Sequence, residues 1–342
     1  MTERRQMLFD RLSERGTAFL GTRYPIISGA MTWISDVALM KAVAESGAFP
    51  VLAGGNMPPD LFEEEIDRCI EQLDTPFGAN LITIAPNYRA QYEILLSKDV
   101  GFVVFAGSFP RKADIQGMKK AGKKVLSFAS GESIASQQIR FGADALILEG
   151  SEAGGHVGHV SLMVLLQQVL FNFDQVPIFV GGGLATGRMM AHLMMMGAAG
   201  CQFGTLFVMT DECTAHIDFK QAFAKARARQ AVATPQYDSR LPIVAVRAIK
   251  NTGTAEFGRL QLELLNRLER EELTREKAQY EVEKYWVGAL RKAVVDGDID
   301  QGSLMAGQSV GLVRNVRPMK EVIEQLVSDA EEELERVAGR LA

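Results

Sequence analysis

The stretch ALILEGSEAGGHVGH, residues 145–159, runs from a short apolar segment straight into glycines, two carboxylates and two histidines. A chain leaving a buried strand needs none of those residues for packing. Bare backbone, a carboxylate and an imidazole in one short loop instead suggest a ligand. The fold depends on whether the apolar segment before that loop is one strand of a repeating series.

It is the sixth of eight. Short apolar runs ending in small or polar residues recur as PIISGAM (25–31), PVLAGG (50–55), FGANLI (77–82), FVVFAG (102–107), KVLSFA (124–129), ALILEG (145–150), PIFVGGG (177–183) and GCQFGT (200–205). Each has the length of a strand buried on both faces. Between them lie stretches with helical spacing, such as DVALMKAVAESG (36–47), DLFEEEIDRCIEQL (60–73), GESIASQQIRFG (131–142) and TGRMMAHLMMMG (186–197). Several open on Ser, Thr or Asp and close on Gly, as helix caps do. Strand then helix, eight times in succession, predicts an α/β fold of the TIM (β/α)8 barrel type. An open doubly wound sheet is the competing architecture, and the unbroken count of eight favours closure.

After Thr205 the alternation stops. Residues 211–230 read as a basic helix, and 255–292 as long charged helices whose ionic residues form a solvated face. The expected organisation is therefore a barrel over 1–210 and a helical cap inserted after the eighth strand over 211–300. A Gly-rich loop and a closing helix follow over 301–342, the helix carrying an apolar stripe of Val322, Leu326, Ala330, Leu334 and Val337.

Composition narrows the function classes. The 342 residues are 47% hydrophobic and 23% charged, with a net charge of −5, so no global attraction to nucleic acid is expected. No apolar run approaches the roughly 18–20 residues that span a membrane, and the charged N-terminus lacks a signal-peptide core. A cytoplasmic protein is expected. Cys69, Cys201 and Cys213 have neither metal-ligand spacing nor the number for a disulfide framework, and no metal site is predicted. Cys201 reads as a buried small hydrophobe. No cysteine stands in a rim loop, which argues against dehydrogenases that form a covalent bond through one.

In a barrel of this kind the site lies at the C-terminal ends of the strands. Those ends carry Gly29, Ala30, Met31 and Thr32 after the first strand, Asn80 in the third, and Ala106, Gly107 and Ser108 after the fourth. The sixth contributes Glu149, Ser151, Glu152, Gly154, Gly155 and His156; the seventh Gly181, Gly182 and Gly183; the eighth Gln202, Gly204 and Thr205. Loops after the last two strands are where such barrels bind phosphate, through backbone N–H groups that glycine lets the anion approach. GGGLATG followed by FGT fits that demand, although a pair of tight turns would also use glycine. His156 follows two glycines at the rim and is read as a histidine facing the ligand rather than a structural one. His159 reads as a neighbour that orients the loop, His192 as packed or half exposed, and the methionines of 189–196 as core.

GADALILEGSEAGGHVG, VPIFVGGGLATG, CQFGTLFV and GSLMAGQSVGLV together resemble the flavin-dependent barrel proteins that include nitronate monooxygenases (2-nitropropane dioxygenases) and enoyl-acyl carrier protein reductase type II. The resemblance runs from about Tyr24 to Val313 and implies FMN. It implies that Gly29, Ala30 and Met31 line the flavin ring, that Asn80 bonds to it, and that Gly182, Gly183, Gly204 and Thr205 hold the phosphate. Met305, Gly307 and Gln308 would fold back over the flavin, and His156 matches the catalytic histidine. With Glu149, Gly154, Gly155, Gly181 and Gln202 at the same rim, these residues form the expected cofactor-binding set.

VRAIKN (246–251) and GALRKAVVDGDIDQGSLMAGQSVGLV (288–313) look more like the enoyl reductases. SGAMTW lacks their usual paired glycines before Met, and GTLF lacks an Arg that often follows GT. The expected function is NAD(P)H-dependent reduction of an enoyl thioester. Oxidation of alkyl nitronates by O2 is the alternative, and a non-catalytic flavin- or acyl-binding protein the third reading. An acyl carrier protein is acidic, so Lys220, Lys225, Arg227 and Arg229, with Arg247 and Lys250, form a candidate basic rim, or else a solvated face. A homodimer is a further expectation.

Overall fold

The computed structural model describes residues 2–341 other than Asn56 and Pro242. Its strands are β1 (Ile26–Ser28), β2 (Phe49–Ala53), β3 (Gly78–Ile82), β4 (Phe102–Ala106), β5 (Lys124–Ala129), β6 (Ala145–Glu149), β7 (Gly155–Val157), β8 (Ile178–Gly181), β9 (Gly200–Phe203), β10 (Ala231–Ala233), β11 (Ala245–Ile249) and β12 (Leu304–Met305). Eight of them, β1 to β6 with β8 and β9, form a closed parallel barrel. All eight fall within the apolar runs picked out in the sequence, give or take one residue. The helices Val37–Glu45, Pro59–Gln72, Glu132–Phe141 and Gly187–Met195 lie within or one residue beyond the corresponding helical stretches.

The strands are apolar on both faces because both faces are buried. Ile26, Leu52, Val103 and Cys201 point outward under the helices, while Ile27, Phe49, Val51, Phe102, Val104, Ile147 and Phe179 point into the barrel. Phe19 and Leu20, at the end of the helix Thr2–Leu20, join that interior cluster. The Lys124 ammonium lies over the rings of Phe19 and Phe102 and donates to the Phe19 carbonyl, so this end of the barrel is filled. Inward positions at the other end are Gly29, Asn80, Ala106, Glu149, Gly181 and Gln202. The barrel is thus packed with aromatics below and left roomy and polar above.

Beyond the barrel the chain is not all helix. β10, β11 and β12 form a small antiparallel sheet, and β7, from the loop after β6, pairs with β11 to complete it. The long helices Thr252–Glu269 and Arg275–Val294 pack on it through Leu241, Val246, Phe257, Leu264, Val282 and Trp286. Phe257 and Trp286 meet with ring centroids 4.2 Å apart. The helix Met319–Leu341 returns to the barrel and packs against Gly187–Met195. No helix among the described residues is long and apolar enough to cross a membrane.

That last packing depends on an absent side chain. A Cβ on Gly187 would come within 1.9 Å of the Leu326 carbonyl oxygen. Gly187→Val is expected to destabilise the protein by about 1–3 kcal/mol or more. Gly288→Ala, in a helix interior where a Cβ meets nothing within 4 Å, is expected to stabilise it by roughly 0.5–1 kcal/mol. Thermal unfolding of the two variants should move in opposite directions.

Candidate active site

One cavity of about 470 Å³ opens at the C-terminal end of the barrel. Gly29, Ala30, Met31, Asn80, Glu149, Gly154, Gly155, His156, Gly182, Gly183, Gln202, Gly204, Thr205, Met305 and Gly307 all line it. The structure therefore brings together residues spread over most of the chain.

Local chemistry sets each wall. Ser35 clamps the turn after β1: its hydroxyl donates to the Gly29 carbonyl at 3.2 Å and accepts from the Met31 N–H at 2.9 Å. Asn80 is buried and donates its amide to the Val104 carbonyl at 3.0 Å, which fixes the side chain across β3 and β4. Gln202 lies on β9 between β1 and β8, in register with Ile27 and Gly181. A Cβ on Gly29 or Gly181 would crowd the Gln202 side chain at 3.1–3.3 Å. Gly181 thus makes room for Gln202 and is not among the cavity-lining residues.

Gly182 and Gly183 adopt φ of +87° and +74°, which turns the chain sharply beneath the cavity. Gly204 precedes the short helix Thr205–Val208, whose N-terminus has no side-chain cap. The Thr205 hydroxyl accepts the Gly307 N–H at 2.9 Å and so ties the late loop to the end of β9. Gly154 lies against the same loop, where a Cβ would stand 2.5 Å from the Gly307 nitrogen. Gln308 is anchored through its backbone. Its N–H donates to the Glu152 carbonyl at 2.9 Å, and it is not among the cavity-lining residues. The Glu152 carboxylate accepts the Leu162 N–H at the start of the next helix.

His156 is not in a loop but in β7, where it pairs with Val246 of β11. Its Nε2 is sealed from solvent and has no hydrogen-bond partner among the described residues. Oε2 of Glu283, from the cap helix Arg275–Val294, stands 3.5 Å away, near enough for an ion pair but outside hydrogen-bond geometry. Glu283 was not singled out from sequence; the signal was a carboxylate set within the buried stripe of Val282, Trp286 and Leu290. Ser35 was missed for want of any motif. His159 is exposed at the cavity mouth, and His192 is half exposed, bonded to Glu333 at 2.8 Å. Cys201 is buried.

Two members of the candidate basic rim are unavailable. Lys220 is buried and donates to the Thr210 carbonyl at 2.7 Å. Arg247 donates to the Ser151 and Ala231 carbonyls. Lys225, Arg227, Arg229 and Lys250 are exposed.

A closed barrel with a polar-floored cavity and glycine turns at its last two exits is the frame of a barrel enzyme that uses a nucleotide cofactor. The chain belongs to the nitronate monooxygenase family of flavin-dependent oxidoreductases, whose family model matches residues 13–329. It is similar to FabK from Thermotoga maritima, with 32% identity and a TM-score of 0.85 over 95% of this chain and 98% of that one. It is also similar to a nitroalkane oxidase from Streptomyces ansochromogenes, with 26% identity and a TM-score of 0.78 over 94% and 99%. A relative in Mycobacterium tuberculosis, (3aS,4S,5R,7aS)-5-hydroxy-7a-methyl-1-oxo-octahydro-1H-indene-4-carboxyl-CoA dehydrogenase, is 28% identical over 94% of this chain and 96% of its own length.

Glu149 gives the cavity a pH-sensitive floor. Burial pushes its carboxyl up from an ordinary 4.5 to about 8. Between those values the unfolded chain has released a proton that the folded chain keeps, so this group lowers stability as pH rises, and the penalty is complete above about 8. In the cofactor-free protein, Glu149→Gln is expected to match the parent's unfolding midpoint at about pH 5 and to exceed it at about pH 8.5. Equal midpoints at both would show that the carboxyl is not desolvated.

Proposed function

We propose that the chain is an FMN-dependent reductase of enoyl thioesters that draws its electrons from NADH or NADPH. The residues present fit such a cofactor. Asn80, Glu149 and Gln202 offer polar groups on the cavity floor, Val51, Val104 and Met31 offer apolar contact, and the turns at Gly182–Gly183 and Gly204–Thr205 lie at the exits of β8 and β9. Gly182, Gly183, Gly204 and Thr205 would hold the phosphate, and Gly29, Ala30, Met31 and Asn80 the ring. Met305 and Gly307 would close over it. FMN, when bound, would supply the storage and delivery of a hydride.

The observation that carries the choice of substrate is the apolar wall of the cavity that His156 also lines. Ile82, Phe109, Phe128, Ile243, Val244 and Leu290 line the same cavity, room suited to an acyl chain rather than to a small anion alone. FabK is an enoyl-ACP reductase II, and the Mycobacterium tuberculosis relative is named for a CoA thioester, which supports the same substrate class. His156 would donate to the thioester oxygen, where negative charge builds as the β-carbon is reduced, or deliver the proton to the α-carbon. The family model and the nitroalkane oxidase support a second reading, oxidation of alkyl nitronates, in which His156 would bind the nitro oxygens or take the α-proton.

Anaerobic reduction of the yellow holoenzyme by NAD(P)H, followed by crotonyl-CoA, tests the first reading. Reoxidation by the thioester is expected, and His156→Ala should slow turnover by about 10²–10⁴-fold with FMN retained. Rapid oxygen uptake with propyl nitronate, needing no NAD(P)H, would establish the second reading instead.

A further inference from the structure

The helix Arg275–Val294 turns the face carrying Val282, Trp286, Ala289 and Leu290 inward, and Leu290 reaches the cavity wall. Glu283 stands within that face with its side chain only 12% exposed. A carboxylate so withdrawn from water is rarely found without a donor or a cation. The group placed to serve it is the His156 imidazole, whose Nε2 is 3.5 Å from Glu283 Oε2. That Nε2 is itself buried and unbonded. An unbonded Nε2 and a nearly buried carboxylate oxygen therefore face one another across a gap slightly wider than a hydrogen bond.

We propose that Glu283 is the positioning residue of His156, holding a proton on Nε2 and leaving Nδ1 as the nitrogen that exchanges a proton in the cavity. An ionised carboxylate only accepts hydrogen bonds, so a bare Nε2 lone pair facing it would be repelled and an N–H attracted. The imidazole is 20% exposed although Nε2 is sealed, so its open edge is one without that atom. When Nδ1 takes up a proton the ring becomes cationic, and the facing carboxylate offsets that charge. When Nδ1 gives the proton up, the same contact keeps the ring from turning. The inference rests on His156 being the group that meets substrate, and it assigns the second half of that machinery to the cap.

The test has an arm that needs neither FMN nor substrate. The chain has four histidines, so 15N-histidine labelling gives few signals, and His156→Asn identifies the one that matters. In the parent at about pH 8, where an ordinary imidazole is neutral, His156 is expected to be protonated mainly on Nε2. In Glu283→Ala it should become a mixture of both tautomers, and Glu283→Gln should also weaken the preference while keeping the side chain's size should the alanine variant not fold. In the holoenzyme, Glu283→Ala should lower kcat by roughly 10–100-fold with KM within about threefold, and Glu283→Asp should restore part of the loss. An Nδ1-protonated parent, or a tautomer pattern indifferent to both neutral variants, overturns the proposal even if kcat falls. If crotonyl-CoA proves not to be a substrate, the tautomer result still decides the role of Glu283.

Discussion

The pairing of β7 with β11 is the contact on which the site depends. Gly155, His156 and Val157 belong to the loop after a barrel strand, yet they are held as a strand by Arg247, Val246 and Ala245 of the cap. The Arg247 guanidinium reinforces that junction by donating to the Ser151 carbonyl at 3.0 and 2.8 Å and to the Ala231 carbonyl. Burial lowers the pKa of Arg247 and Glu152 nearby opposes that shift, so the cation is held where it is partly desolvated. Its hydrogen bonds to carbonyl oxygens offset that cost. Without this pairing, the barrel would still close, but His156 would sit on a glycine-rich loop with no fixed direction.

The barrel contributes a different constraint, one of volume. Its lower interior is filled by Phe49, Phe102 and Phe179, with Phe19 from the first helix. At the upper level the inward positions are glycine, alanine and polar residues, and two of the glycines are taken up in accommodating Gln202. The cavity is therefore a missing layer of side chains rather than a gap between domains. Its floor is supplied by Asn80, Glu149 and Gln202 from β3, β6 and β9, whose backbones are fixed by the closed barrel.

This division explains what was legible in the sequence. Buried parallel strands read as continuous apolar runs, and a periodic pattern of eight leaves little freedom in topology, so each barrel strand lies where the runs predict. Glycines and polar residues at strand ends are equally visible, because packing gives no reason for them. Contacts between distant segments are not visible in this way. Nothing local in GGHVG signals a strand, since its partner lies in AVRAI far downstream. Lys220 and Arg247 look like solvated bases until the carbonyls they serve are in view. Gln308 carries a side chain that draws attention, while its N–H does the binding. Glu283 is hidden among many glutamates of the charged helices, and only its place in an apolar face sets it apart.

Barrel and cap thus contribute to the chemistry unequally. The groups that would touch the cofactor come almost wholly from barrel strand ends and from the late loop. That loop is tied back by Thr205 and by the close approach of Gly154 to Gly307. The groups around the imidazole and the apolar wall come in good part from the cap: Ile243, Val244, Leu290 and Glu283. The cavity's apolar wall is shared between barrel strand ends, at Ile82, Phe109 and Phe128, and the chain after β9, at Ile243, Val244 and Leu290, so neither part shapes it alone.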